Sequence, residues 1–183
     1  MTRAPETARI RRPWSAGTAV LTAVHHGFEL STGIGIVLQP EMGLAGAGAL
    51  WGSQLPAWLA LASRGGPRWD RVLAVWSGAA LAGVTVHFIL WPLRRSRVGL
   101  PVLAEAEGLD ARGLAFYNAL LYAWGATSAL SLVCEIPRGA RRWAVVGLAT
   151  LPLQLVSARH HFDWVRGESD ARPAWWNRAL AAT

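Results

Sequence analysis

The hydrophobic and polar positions of this chain form long apolar blocks that are separated by short, arginine-rich segments. The blocks do not alternate at the period of an amphipathic element. A membrane-spanning helix needs about 20 apolar residues. The pattern therefore predicts five transmembrane helices, at about residues 14–38, 43–62, 72–93, 114–136 and 143–164.

Prolines mark the ends of several blocks. Pro40 follows the first block, Pro92 closes the third and Pro137 ends the fourth, because proline restricts the residue before it and cannot continue a helix. The longest loop covers residues 94–113 and is expected to carry a short surface helix. Five spans and short loops use nearly all 183 residues, so the sequence predicts one all-α, polytopic transmembrane domain over residues 1–183.

Composition strengthens this prediction. The hydrophobic fraction is 52% and the charged fraction only 16%, whereas about 25% charge is usual in soluble domains. All 18 basic residues are arginine, and nearly all of them lie between the apolar blocks, which is typical of flanks that face anionic headgroups. We therefore expect the lipid bilayer, and not nucleic acid, as the partner of the positive charge. The lack of lysine suggests a high-GC bacterial genome and hence a multi-pass protein of the bacterial inner membrane.

The arginine count leaves the orientation and the second span open. Five spans with the N-terminus inside place 10 arginines inside and 8 outside. If residues 43–62 form a re-entrant hairpin, the split becomes 12 inside and 6 outside, which agrees better with the positive-inside rule. The length of this block favours a crossing, and homo-oligomer formation is left open as well.

Ionisable residues inside the first span indicate a site. His25 and Glu29 are four residues apart and share one helix face, and His26 lies beside them. An ionisable group at mid-bilayer costs about 2.5–3.5 kcal/mol on insertion scales, so it faces the bundle interior and marks function by default. The alternative is a His–Glu pair that only fixes helix packing.

Other spans carry further candidates. Glu135 stands near the end of span four and His87 on span three, while Tyr122 on span four could face a cavity. A second dense group, residues 159–163, includes His160 and His161 and is either a site or a solvated helix end. The His pairs 25/26 and 160/161, with Glu29 and Asp163, offer ligand types that suit iron or zinc, and binding of metal or haem is left open. No cofactor is expected, however, because neighbouring histidines on a helix point about 100° apart and no HExxH spacing occurs.

The chain has 11 tryptophans. Most fall at span ends, as an aromatic belt requires, but Trp51, Trp76 and Trp124 fall inside spans. Ring faces in a buried pocket can stabilise a positive charge, and the alternative is ordinary packing with a bonded indole N–H.

An acid held protonated in an apolar setting beside aromatic faces suits carbocation chemistry. Phe28-Glu29 on span one and Cys134-Glu135 on span four resemble the aromatic-Glu acids of the small integral-membrane terpene cyclases of meroterpenoid and indole-sesquiterpene pathways. Neither acid here follows a tryptophan, and the fungal members have more spans. The His25–Glu29 pair is also similar to the pair on an early helix of sterol-isomerase-type membrane proteins.

The sequence therefore predicts a membrane-embedded enzyme that cyclises or isomerises a lipophilic isoprenoid by protonation. The expected catalytic residues are Glu29 as general acid, His25 as its orienting partner and Glu135 as a second acid or cation stabiliser. The expected substrate-binding residues are Trp51, Trp76, Trp124, His26, His87 and Tyr122. Two alternatives stay open: a small proton-coupled transporter or channel subunit, and a non-catalytic membrane assembly partner.

Overall fold

The computed structural model describes residues 10–106 and 108–180 and is mostly helical. Five of its helices are long, which confirms the predicted all-α class. In chain order the elements are α1 (Pro13–Thr32), α2 (Gln39–Ser63), α3 (Pro67–Leu90), β1 (Leu93–Arg95), β2 (Pro101–Leu103), α4 (Ala111–Leu130), a π-helical turn (Ser131–Glu135), α5 (Arg138–Arg141), α6 (Ala144–Leu148), α7 (Leu151–Ala171) and a 3₁₀ turn (Arg178–Leu180).

Helix α3 is the one helix in the described part of the chain that is both long and apolar enough to cross a membrane, with a mean hydropathy of 1.8. Half of its most apolar stretch is buried inside the protein, and core helices of soluble proteins share these properties. The five membrane spans expected from the sequence therefore stay a prediction.

The first predicted span is a helix followed by a tight connection. Helix α1 begins at Pro13, which fits the first helical turn because its missing N–H needs no partner there. It ends at Gly33, whose left-handed backbone (φ 88°) stops the helix. Residues 34–38 leave the helical path, and Leu38 also has a left-handed backbone (φ 72°) before α2 starts. Helix α2 is broken at Gly43 (φ 70°), where the second predicted span was expected to begin.

The last predicted span is divided into pieces. Helix α4 passes into the π-helical turn, in which the N–H of Ile136 bonds to the carbonyl of Ser131 at 3.0 Å. The short helices α5 and α6 follow, and α7 then continues to Ala171, beyond the residue 164 expected as the end of the span.

The longest loop forms a β-hairpin, so the prediction of a short surface helix between residues 94 and 113 is wrong. Strands β1 and β2 pair antiparallel, with Arg94 opposite Val102. Gly99 (φ 82°) makes the turn, and its N–H bonds to the carbonyl of Ser96 at 3.0 Å. Pro101 starts an edge strand, which is a position that tolerates proline. The last part of this loop starts α4, where Asp110 accepts a bond from the Gly113 N–H at 2.7 Å.

Helices α3 and α6 pack with their backbones in direct contact at two glycines. A Cβ on Gly78 would lie 2.1 Å from the carbonyl oxygen of Ala144, and a Cβ on Gly147 would lie 1.9 Å from that of Val75. Only glycine fits at both positions. Helix α3 also contacts α4 and α7, while α1 packs mainly against α2 and α4. This arrangement brings polar faces of α1, α3 and α4 to the same interior region.

Candidate functional site

A cavity of about 440 Å³ lies between α1, α2, α3, α4 and α7. This volume falls within the range of small-molecule sites. Most of its wall is apolar or aromatic, although ten of the lining residues have polar or ionisable side chains. The lining residues are Thr22, His25, His26, Glu29, Val37, Leu38, Trp51, Gln54, Trp58, Val75, Trp76, Ala79, Ala80, Gly83, Val86, His87, Leu90, Trp124, Thr150, Leu153, Gln154, Ser157, Ala158, His161 and Phe162.

Among the residues that the structure describes, Glu29 is the only acidic one in that wall, and it lies on α1 with two imidazoles of the same helix. The Nε2 atom of His25 is 3.4 Å from Glu29 Oε1, and the Nδ1 atom of His26 is 3.4 Å from Glu29 Oε2. All three side chains are buried. The i,i+4 stacking of His25 and Glu29 that the sequence predicts is therefore present, and His26 reaches the second carboxylate oxygen from the i−3 position.

Two further helices complete the surroundings of the carboxylate. His87 of α3 places its Nε2 atom 3.7 Å from Glu29 Oε1, and the hydroxyl of Tyr117 on α4 donates a hydrogen bond of 2.6 Å to the same oxygen. Glu29 therefore faces three imidazoles and a phenol. The sequence suggested a protonated acid with His25 as its one orienting partner, whereas the structure surrounds Glu29 with a network that can share a proton among several groups.

The tautomer of His87 follows from its other nitrogen. Its Nδ1 atom lies 2.7 Å from the carbonyl oxygen of Gly83, one helical turn earlier. A carbonyl oxygen only accepts, so Nδ1 carries the hydrogen. In the neutral ring, Nε2 then presents a lone pair toward the carboxylate of Glu29.

Aromatic rings cover the imidazoles. The ring of Trp124 stacks on His25 with centroids 4.8 Å apart, and the ring of Trp51 lies 3.8 Å from that of His26. Trp76 packs against Trp58 at 3.4 Å between centroids. All four tryptophans line the cavity. The three tryptophans expected from the sequence thus share one cavity with the His–Glu cluster.

Two predicted site residues lie elsewhere. Glu135 accepts bonds from the backbone N–H groups of Trp14 and Ser15 and from the Ser15 hydroxyl, so it caps the start of α1 instead of facing the cavity. The hydroxyl of Tyr122 donates to the carbonyl of Pro101 in the hairpin. Neither residue lines the cavity, and neither is brought together with Glu29.

Several residues of the site were not among the predicted ones. Tyr117 is one of them, although it makes the shortest contact to Glu29 among the described residues. Trp58 and Gln154 carry no sequence signal that separates them from packing residues. His161, from the second dense group, is buried in the cavity wall with Nε2 3.1 Å from the carbonyl of Ile34, whereas its neighbour His160 is exposed beside Glu41 at 3.7 Å.

The polar end of the cavity also has the composition of a metal site. One ligand atom each from His25, Glu29 and His87 lies within 4.8 Å of the other two. Imidazole nitrogen and carboxylate oxygen are common ligands of zinc and of non-haem iron. The arrangement can therefore hold either a shared proton or a divalent cation.

No protein-family model, curated protein or solved structure matches this chain significantly.

Proposed function

We propose that this protein is a membrane-embedded enzyme that isomerises or cyclises a lipophilic, isoprenoid-type substrate by adding and removing a proton. The observation that carries the proposal is the position of Glu29. Its carboxylate, with the imidazoles of His25, His26 and His87, forms the ionisable end of a cavity that is otherwise mostly apolar and aromatic.

The membrane part of the proposal is supported by the outer surface. Large apolar side chains are exposed on several elements, including Val145 on α6 (65%), Leu153 (70%) and Val156 (65%) on α7, and Val133 in the π-helical turn (62%). Soluble monomers rarely leave large contiguous apolar patches in water. Lipid would cover this surface, and a lipophilic substrate would enter the cavity laterally from the bilayer.

The cavity wall supports the choice of substrate. A saturated or olefinic hydrocarbon needs apolar walls, which Val75, Val86, Leu90 and Leu153 supply. The ring faces of Trp51, Trp76 and Trp124 carry a negative quadrupole that attracts a cation. A carbocation that forms near Glu29 would be surrounded by these faces.

The proposed reaction balances without an external co-reactant. The Glu29–imidazole network gives one proton to an alkene or epoxide of the substrate, which leaves a positive charge on carbon. Bond migration or ring closure moves that charge, and loss of one proton from a neighbouring carbon restores a neutral product. The proton returns to the network, because its imidazole nitrogens and carboxylate oxygens can each accept a proton.

The test is product formation in membranes that contain the expressed protein and are supplied with prenylated alkenes and epoxides, followed by mass spectrometry. Glu29→Gln keeps the shape of the side chain and removes the acid. We expect product formation to fall by about 100-fold or more. Glu135→Gln is the matched control, because the same change is made at a carboxylate outside the cavity, and it should keep the turnover per folded molecule.

Two results would contradict the proposal. One is unchanged product formation in folded Glu29→Gln protein. The other is an absence of product from every prenylated substrate combined with a proton or solute flux in proteoliposomes that Glu29→Gln abolishes, which would favour the transporter alternative.

A further inference from the structure

The strongest unexplained feature of the site is the approach of the Nε2 atom of His87 to the Oε1 atom of Glu29. His87 donates through Nδ1 to Gly83, so the neutral ring directs the lone pair of Nε2 at Glu29 Oε1, 3.7 Å away. A lone pair and a carboxylate oxygen repel each other unless a proton or a cation stands between them. Both groups are held inside the protein, where that repulsion is weakly screened.

We propose that His25, Glu29 and His87 bind a divalent metal ion of the zinc type. The ion would lie in the same site as the proposed function. Its catalytic role rests on that function, whereas its binding does not. The ion would occupy the space between the two Nε2 atoms and Glu29 Oε1, and its positive charge would remove the repulsion at His87.

The two ligand distances measured from Glu29 Oε1 are close to those of a tetrahedral ion, and the two imidazoles, whose ligand atoms lie within 4.8 Å of each other, would draw together on binding. Zinc bonds of about 2.0–2.1 Å with tetrahedral angles place neighbouring ligand atoms about 3.3 Å apart. The observed separations from Glu29 Oε1 are 3.4 Å to His25 Nε2 and 3.7 Å to His87 Nε2. Octahedral magnesium with bonds of about 2.0–2.1 Å needs about 2.9 Å and prefers oxygen ligands. Two imidazoles and one carboxylate favour zinc or iron instead.

The surroundings of the ligands agree with a metal site at two of the three residues. The Gly83 carbonyl orients His87 through its outer nitrogen, and Tyr117 donates to the ligating oxygen of Glu29. Such outer contacts commonly hold metal ligands in place. His25 is held by packing instead: its ring lies 4.8 Å from those of Trp124 and His87, and its Nδ1 has no hydrogen-bond partner among the described residues.

Three protein ligands leave a tetrahedral ion with one open position, which is the arrangement of catalytic zinc sites. A water bound there is more acidic than free water. With the ion in place, Glu29 would serve as a ligand, and the bound water would take over from the Glu29–imidazole network the task of giving the proton to the substrate and of recovering it when the neutral product forms. His26 contacts Glu29 through the other oxygen and stays outside the ligand set.

The experiment measures metal content and cobalt binding in the purified full-length protein. Metal analysis should find about one zinc or iron per chain. After chelation, Co²⁺ should restore binding with the visible absorption of a tetrahedral ion. His87→Asn and Glu29→Gln should lower the Co²⁺ affinity by at least about 10-fold. His160→Asn is the matched control, because His160 is exposed and paired with Glu41, and it should bind Co²⁺ as the wild type does.

The melting temperature gives a second measure of metal binding that does not depend on turnover and that shows whether each variant is folded. Added Zn²⁺ should raise the melting temperature of the wild type and of His160→Asn by mass action, but not that of a folded His87→Asn variant. The inference would be overturned by folded wild-type protein that contains no stoichiometric metal. That protein would also have to show no Co²⁺ spectrum and no Zn²⁺-dependent shift in melting temperature at millimolar ion. Product formation without metal would leave the proposed function intact, and metal binding without product would refute that function alone.

Discussion

The hydroxyl of Tyr117 donates a 2.6 Å hydrogen bond to Oε1 of Glu29, and both side chains are buried. The bond joins α4 to α1 across 88 positions of the sequence. It fixes the carboxylate in the orientation in which His25 and His87 approach the same oxygen.

Loss of this bond should reduce turnover. Tyr117→Phe removes only the hydroxyl and leaves a buried carboxylate with one donor fewer. A hydrogen bond to a charged group is worth about 1.5–3 kcal/mol, so we expect product formation to fall by roughly 10- to 150-fold. Tyr122→Phe is the control, since that hydroxyl bonds to the hairpin at Pro101 and not to the cavity. Equal rates for the two variants would contradict the positioning role of Tyr117.

Glu135 should contribute to stability and not to the chemistry. Its carboxylate caps the start of α1 by accepting from two backbone N–H groups and a hydroxyl. Glu135→Ala should lower the free energy of unfolding by about 1–2 kcal/mol, as loss of a helix cap does. The melting temperature of the purified protein measures this effect, and product formed per folded molecule should stay near the wild-type level. A fall of 100-fold or more in turnover would restore the second-acid role expected from the sequence.

A buried ion pair ties the start of α1 to the start of α3. Arg12 binds Asp70 and the carbonyl of Arg64, and both charged side chains are nearly inaccessible. Asp70→Ala should cost about 3–5 kcal/mol, because it leaves a buried guanidinium without its partner. Thermal unfolding should show that the double variant Arg12→Met/Asp70→Leu loses clearly less stability than the sum of the losses in Arg12→Met and Asp70→Leu made singly. Strictly additive losses would show that the two residues do not interact.

The glycine contact between α3 and α6 offers a stringent test of the fold. Gly78→Ala places a methyl group 2.1 Å from the Ala144 carbonyl oxygen, so the helices must separate. We expect a loss of about 3 kcal/mol or more, seen as a lower melting temperature and a lower yield of monodisperse protein. Gly48→Ala is the matched control on α2, where a Cβ meets nothing within 4 Å. That change should stabilise the helix by up to about 1 kcal/mol.

The part of the site that lies on one helix could be predicted from the sequence. His25 and Glu29 are four residues apart, and helix geometry alone brings them together. His87 and Tyr117 join them only through the packing of α3 and α4 on α1, for which the sequence carries no pairing signal. The expectation of no metal was based on the divergence of His25 and His26 on their own helix, and nothing in the sequence indicated that His87 of α3 would join His25 and Glu29 in one group of possible ligands.

The depth of an acid along a helix also could not be predicted. Glu135 lies at the end of a predicted span, where it was interpreted as a second acid, but the π-helical turn directs it at the start of α1. Tyr117 and Tyr122 are five residues apart on α4, which places them on different faces. Composition does not distinguish the face that meets Glu29 from the face that meets the hairpin. The hairpin itself was missed because its apolar residues resemble those of a surface helix.

The contact of Gly78 and Gly147 determines the register of α3. Because the two backbones are in direct contact, α3 cannot slide or turn about its axis at this point. His87 lies nine residues later on the same helix, about 13.5 Å along its axis. The approach of His87 to Glu29 is therefore set by two residues that have no side chains and lie far from the carboxylate. A substitution of either glycine would displace His87 relative to Glu29, so it would disturb the candidate site without changing any residue that lines the cavity.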